Sequence, residues 1–299
     1  MTYVLHLAIY IAIYSILALS LNLIVGYCGL LTMAHAAYFA IGGYTYALLT
    51  LTLGWGFLPS AAGAMLVAAT LSLALSLPAW RFRGDSFVLI SLAIQALVFS
   101  ILSNWYDAKF PIATWRNLAN GPSGIPNIPK PDIIGIRFDT ISSMAILSLA
   151  LLVICGVTLG LLKISPFGRL LKCMRDDELA ARGLGKNVRL TKIYALGISC
   201  SIAALAGVIY SSYTTYIDPS SASLDHSILM VSMVLIGGVG NFRGPIAGAI
   251  VLVLMPEILR FGNLPYATAA NVRLLVYGVL IALMVHLRPQ GLMGEYRFR

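Results

Sequence analysis

The first 80 residues of this chain contain no Lys, Arg, Asp or Glu; the first charged side chains are Arg81, Arg83 and Asp85. A soluble domain carries about 25% charged residues spread over its surface, so a charge-free stretch of this length has no aqueous fold open to it. The rest of the 299-residue chain agrees, with 10% charged and 59% hydrophobic residues and a mean hydropathy of +0.89. A net charge of +9 would otherwise invite a nucleic-acid reading. In a chain this apolar it must be explained by membrane topology instead.

A membrane-crossing helix needs about 20 mostly apolar residues at a rise of about 1.5 Å each. Apolar runs fall at 4–25, 30–53, 57–80, 86–104, 140–162, 193–216, 227–240, 245–260 and 272–287. They are continuous rather than alternating, and too long for the ~10-residue strands of a membrane barrel. The expected fold is therefore an all-α polytopic membrane protein, a single domain over 1–299 with roughly 8–10 transmembrane helices. No basic region precedes the first apolar run, so a cleaved signal peptide is not expected. Cys28, Cys155, Cys173 and Cys200 show no CxxC spacing and read as isolated thiols, with no metal site.

Charge placement orients the chain. If the loops after the third, fifth and seventh spans and the C-terminal tail share one face, that face holds 14 of the 20 basic residues and five acids. The opposite face holds six of each, so the entire excess lies on one side, which the positive-inside rule makes cytoplasmic. With nine spans and an internal C-terminus, the N-terminus lies outside. Residues 105–139, rich in Pro, Gly and Asn, then form an external loop or short re-entrant structure.

Two Gly-rich breaks interrupt the apolar runs, at Gly26-Tyr-Cys-Gly29 and Gly237-Gly-Val-Gly240, and each precedes a run dense in small residues. Broken backbone at membrane depth is tolerated only against protein or a water-filled path. Paired Gly-interrupted segments point toward a transport pathway, tight helix packing being the competing reading. Spacings such as Gly244-xxx-Gly248 and Gly156-xxx-Gly160 suit close helix crossing. Asn22, Gly26, Gly29, His35, Gln95, Gly237 and Gly240 are the candidate path residues. For His35 a structural hydrogen bond competes with substrate contact, and Glu257 reads as an interfacial carboxylate. No line of buried carboxylates suggests an ion-driven carrier, and no Arg ladder suggests a voltage sensor.

Residues 163–192, KISPFGRLLKCMRDDELAARGLGKNVRLTK, are the most structured polar segment. Ser165-Pro166 is a helix start, and Asp176, Asp177 and Glu178 suit the positive end of a second helix that Gly183 and Gly185 stop. A 30-residue insert without a core of its own is expected to dock on another protein. The competing role is a basic element lying on anionic lipid.

Asp177-Glu178-Leu-Ala180-Ala181 with Gly185, preceded by SPFGR at 165–169, resembles the "EAA" coupling loop of bacterial ABC importer permeases. LNLIVGYCGLLTMAHAAYFAIGGY (21–44), NGPSGIP (120–126), LIGGVGNFRGPIAGA (235–249) and RPQGLMG (288–294) resemble, in order, the LivM-type permeases of branched-chain amino acid importers. Asn120-Gly121 departs from the usual Gly pair, and Asp85 follows Arg83-Gly84.

The resemblance implies a non-enzymatic subunit of the bacterial inner membrane that forms half of a translocation path. Its implied partners are a LivH-like second permease, two LivG/LivF-like ATPase subunits and a periplasmic binding protein. Arg169, Arg175, Asp177, Glu178, Ala181 and Gly185 would couple to the ATPases. ATP and Mg would be used there and no cofactor by this chain, whose nearest phosphate-loop string, Gly183-Leu-Gly-Lys186-Asn187, lacks the spacing and the hydroxyl. A urea or short-amide permease and a stand-alone channel or carrier are the alternatives.

Overall fold

A computed structural model of the chain describes residues 2–260 except 83, 108, 113 and 134, together with a few positions between 275 and 293. The span expected at 272–287 and most of the tail lie outside the described residues. Among the described residues six helices are long and apolar enough to cross a membrane, and two shorter apolar helices follow them.

The first crossing is α1 (Thr2–Asn22), which continues as one π-helical turn, Leu23–Cys28. Gly29, in the left-handed region at φ 74°, ends it. Residues 29–34 are non-helical, so α2 runs over His35–Leu53 and starts five residues later than the apolar run does. Gly29 is the cause, since its backbone leaves the helix where hydropathy alone continues it. The next crossings are α3 (Phe57–Ala79), α4 (Asp85–Asn104), α5 (Ile141–Ile164) and α8 (Val188–Thr214). Between α5 and α8 lie α6 (Pro166–Asp176) and α7 (Glu178–Gly183). The shorter helices are α9 (Leu224–Gly237) and α10 (Gly244–Arg260). The second break separates them, and α9 ends at Gly237 because Gly238 has φ 114°.

Burial identifies the centre of the molecule. In its most apolar window the first crossing is 78% buried, against 17% for α4 and 28% for α5. Large side chains such as Leu66, Leu89, Ile146 and Val153 stand exposed on α3, α4 and α5, as lipid-facing positions must. α2 and α8 meet backbone to backbone. A Cβ on Gly42 would stand 2.2 Å from the Ala204 carbonyl oxygen, and one on Gly207 would stand 2.0 Å from that of Phe39. Gly248 meets the Met233 carbonyl oxygen in the same way across the α9–α10 hairpin. Gly156 and Gly160 depart from the close-crossing expectation, because their open face receives the Phe242 ring instead of a helix backbone.

Two short antiparallel pairs shape the loops. β1 (Ile125–Pro126) pairs with β4 (Tyr216–Ile217), and β2 (Asp132–Ile133) with β3 (Ile136–Arg137). The first pair fastens the loop 105–139 to the far end of α8. The start of α1 lies at that end too, through Tyr3 with Glu257 and His6 with Tyr213. α6 and α7 lie at the other end, so the two polar segments cap opposite faces of one apolar core.

Candidate functional site

The site is built from the α6–α7 segment upward. Ser165 accepts a bond from the Gly168 N–H, and Pro166 fills the first helical position. Gly168 has no room for a side chain, since its Cβ would stand 2.3 Å from the Leu162 carbonyl oxygen. Asp177 then caps α7, accepting from Leu179 N at 2.8 Å and Ala180 N at 3.1 Å. Gly185 turns the chain at φ 73°.

The inner face of this segment is not left for a partner. Leu171 is fully buried against the main core, and Met174 and Ala181 pack with Val188. The expectation that the insert lacks a core is corrected here: its apolar strip is short, but it is spent on its own chain. Glu178 also turns inward. Its carboxylate meets Lys192 Nζ at 3.0 Å and an Arg182 Nη at 2.6 Å. Lys192 Nζ donates onward to the Ala79 carbonyl at 3.0 Å, tying α7 to α8 and to the end of α3. The outer face presents Arg169, Arg182 and Gly185 with Leu179 and Leu184, the two leucines 68% and 72% exposed.

Arg175 joins this segment to the first break. Its Nη1 donates to the Gly26 carbonyl at 2.6 Å, while Nε and Nη2 hold Asp176 Oδ1, each at 3.1 Å. The last carbonyls of any helix lack an intrahelical donor, and a wide π-turn ending at a left-handed Gly leaves Gly26 in that condition. A guanidinium is the strongest donor available, worth about 1.5–3 kcal/mol to such an acceptor. Lys163 and Lys172 add cation–π contacts to Tyr27, at 5.9 and 5.7 Å from its ring. A cavity of about 300 Å³ lies beside the joint, lined by Cys28, Gly29, Met174, Arg175, Asp177 and Lys192 among others.

The first break in turn holds the second. Asn22 Oδ1 accepts from Gly240 N at 3.0 Å, and Asn22 Nδ2 donates to the Asn241 carbonyl at 2.8 Å. Contact is so close that a Cβ on Gly26 would stand 2.6 Å from Gly240 N. A turn of the tail seals the far side. Leu292 N and Met293 N donate to the carbonyls of Ile236 and Gly237 at 2.8 and 2.9 Å, and Asn241 Nδ2 donates to that of Met293 at 2.6 Å.

Among the residues expected from sequence, Asn22, Gly26, Gly29, Gly240 and Arg175 thus meet in one place. Gly237 lies just behind them, packed on Gly244. His35 and Gln95 lie elsewhere. The His35 Nε2 contacts Ser20 Oγ at 2.7 Å between α1 and α2, and Gln95 Nε2 donates to the Ala222 carbonyl. Arg169 and Gly185 are on the outer surface, Asp177 is a cap, and Ala181 and the Glu178 carboxylate point inward. Lys192 and Asn241 were not singled out from sequence. Lys192 counts there only as one more positive-inside charge, and nothing local marks it as buried. Among the described residues no group of three or more His, Cys, Asp or Glu could hold a metal ion.

Comparison with known proteins gives the family. The family described as "Branched-chain amino acid transport system / permease component" matches residues 3–285. The high-affinity branched-chain amino acid transport system permease protein LivM of Escherichia coli is 32% identical over 95% of this chain and 68% of its own length. A probable branched-chain amino acid transport permease protein LivM of Methanocaldococcus jannaschii is 32% identical over 44% of this chain and 40% of its own. The autoinducer 2 import system permease protein LsrC of Klebsiella pneumoniae is 28% identical over 48% and 41%. No solved structure matches. On a family match that spans nearly the whole described chain, this multi-pass membrane protein belongs to the permease components of branched-chain amino acid transport systems.

Proposed function

We propose that the chain is one half of the translocation path of an ATP-driven importer for branched-chain, aliphatic amino acids. A LivH-like permease completes the path, two LivG/LivF-like ATPases drive it, and a periplasmic binding protein delivers substrate. The face bearing α6 and α7, with its excess of positive charge, is cytoplasmic, and the C-terminus lies there too. The membrane is the bacterial inner membrane.

The observation that carries this reading is the chain of contacts from α6 through Arg175 to Gly26 and through Asn22 to Gly240. An ATPase that moves α6 through its exposed outer face moves Arg175 with it; the first Gly break is bonded to Arg175, and the second to Asn22 just before the first. The π-turn Leu23–Cys28 is the element with two accessible forms, since one residue of register converts it to an α-turn. ATP need only bind one form better than the other; full switching takes a difference of about 5.5 kcal/mol. Glu178 and Lys192 act inside the segment, carrying the same displacement to α3 and α8.

Reconstitution tests the assignment. The complete complex in liposomes, given binding protein and internal ATP, is expected to accumulate leucine, and the permease pair without its ATPases is expected to accumulate none. Uptake of urea or acetamide in place of leucine overturns the substrate class. Uptake by the permease alone overturns the class of machine.

A further inference from the structure

Between α3 and α8 the surface is cut by an open groove of about 420 Å³, lined by Met65, Ala69 and Ser72 of α3 and by Ile193, Gly197 and Ser201 of α8. The α8 members recur at every fourth position and so form one stripe. From 193 to 201 that stripe rises about 12 Å, within the ~15 Å of one leaflet, half of a hydrocarbon core about 30 Å thick. Both hydroxyls are spent inside the protein. Ser72 Oγ donates to the Ala69 carbonyl at 2.6 Å, and Ser201 Oγ to the Gly197 carbonyl at 2.8 Å. Tyr194 stands exposed at the edge, and Leu66 and Leu73 on α3 face outward as well, so the groove opens to the bilayer. Its cytoplasmic end is different in kind. Arg189, one turn before Ile193 on the same stripe, sets its guanidinium 5.9 Å from the Trp80 ring centre at the end of α3. Arg189 also lines a second open cavity, of about 480 Å³, with Arg182, Lys186 and the turn at Gly185. No carboxylate lines that cavity. Arg182 is engaged by Glu178, whereas the exposed Lys186 and Arg189 pair with no carboxylate among the described residues. Arg81, also exposed, follows Trp80.

The geometry points to a seat for one anionic phospholipid, on the face that carries α6 and α7. Lys186 and Arg189 receive the phosphate headgroup, Arg81 adds to the same field, and an acyl chain lies in the groove between α3 and α8. An apolar trough at membrane depth with no polar group left to satisfy suits a hydrocarbon chain. Unpaired cations where that trough meets water suit the phosphate above it. A phosphatidylcholine headgroup carries a cation of its own and gains less from two more. A helix of a partner subunit, about 10 Å across, is too broad for the floor of the groove. There a Cβ on Gly197 would stand 3.7 Å from Ser72 Oγ. The seat does not depend on which solute the chain transports.

The test uses the full chain in phosphatidylcholine vesicles with a minor share of phosphatidylglycerol, one lipid or the other carrying bromine on its acyl chain. Bromine quenches tryptophan on contact, and Trp80→Phe supplies the background from Trp55, Trp105 and Trp115. At equal brominated fraction, phosphatidylglycerol is expected to quench Trp80 about fivefold or more as effectively as phosphatidylcholine, the effect of one to two cations on an anionic headgroup. Lys186→Gln with Arg189→Gln, both on the surface, should bring the two lipids to within about twofold of each other. Gly197→Leu, which fills the groove and leaves the cations in place, should also lower the preference. Equal quenching by the two lipids in wild type overturns the inference, and so does an unchanged preference in either variant. Displacement of phosphatidylglycerol by inorganic phosphate would reveal a free-phosphate site, and loss of lipid quenching on adding a partner permease would reveal a subunit interface. Both of those results also overturn it. No arm measures transport, so failure of the importer reading would leave every one of these outcomes as it stands.

Discussion

Arg175 Nη1 and the Gly26 carbonyl oxygen lie 2.6 Å apart, although 149 residues separate them in the chain. The bond joins a guanidinium on α6 to a carbonyl that the π-turn leaves open. Asn22, one turn earlier, holds the second break. Arg175 and Asn22 therefore link the surface offered to a motor, in two steps, to both irregular segments of the membrane core.

Glycine at position 26 is required by space. A methyl group there would meet Asn22 Oδ1 at 2.2 Å and Gly240 N at 2.6 Å. Gly26→Ala is expected to destabilise the permease by about 1–3 kcal/mol through overpacking and to lower its melting temperature. Gly183→Ala is the control, because nothing lies within 4 Å of its added carbon. That variant should melt at or above the wild-type temperature, alanine being up to about 1 kcal/mol the better helix former.

The Glu178–Lys192 pair is almost fully enclosed, with side chains 9% and 4% exposed. Glu178 keeps Arg182 when Lys192 is lost, but removing the Glu178 charge leaves the enclosed Lys192 ammonium with the Ala79 carbonyl as its acceptor, at a cost of about 3–5 kcal/mol for a broken buried pair. Glu178→Gln is expected to reduce folded yield and thermal stability more than the double variant Lys192→Met/Glu178→Gln. A double-mutant cycle read by thermal melting in detergent measures the difference. Additive losses would show that the two side chains do not interact.

Asn22→Ala removes both bonds to the second break, each worth about 1 kcal/mol. Amide hydrogen exchange at 238–243 is expected to accelerate in this variant, while exchange in α2 and α8 should remain as in wild type. Uniform acceleration across the protein would mean that Asn22 supports the whole fold rather than the joint.

Much of this arrangement was legible in the sequence, and the illegible part has a consistent cause. Ser165-Pro166, the Asp177 cap and the two Gly breaks are local signals, written in residues that alter backbone preference where they stand. Hydropathy gave the crossings, but it read through Gly29, whose effect is conformational rather than hydrophobic. Partnerships were the harder part. The contact of Gly26 with Gly240, the inward turn of Glu178 toward Lys192 and the seating of Phe242 against Gly156 each join distant segments. Periodicity tells which face of a helix is apolar, not which element covers it. Charge counting likewise tells which side of the membrane a lysine occupies, not whether water reaches it.

The central claim is that α6 acts on the membrane core through Arg175. The direct measurement is leucine imported per ATP hydrolysed in proteoliposomes of the complete complex, comparing wild type with Arg175→Met and Arg175→Lys. Loss of a charge-assisted bond of about 1.5–3 kcal/mol should lower this ratio at least tenfold in Arg175→Met. Hydrolysis itself should be retained, and Arg175→Lys should recover part of the ratio. An unchanged ratio in Arg175→Met, in a complex that folds and hydrolyses ATP normally, would contradict the account.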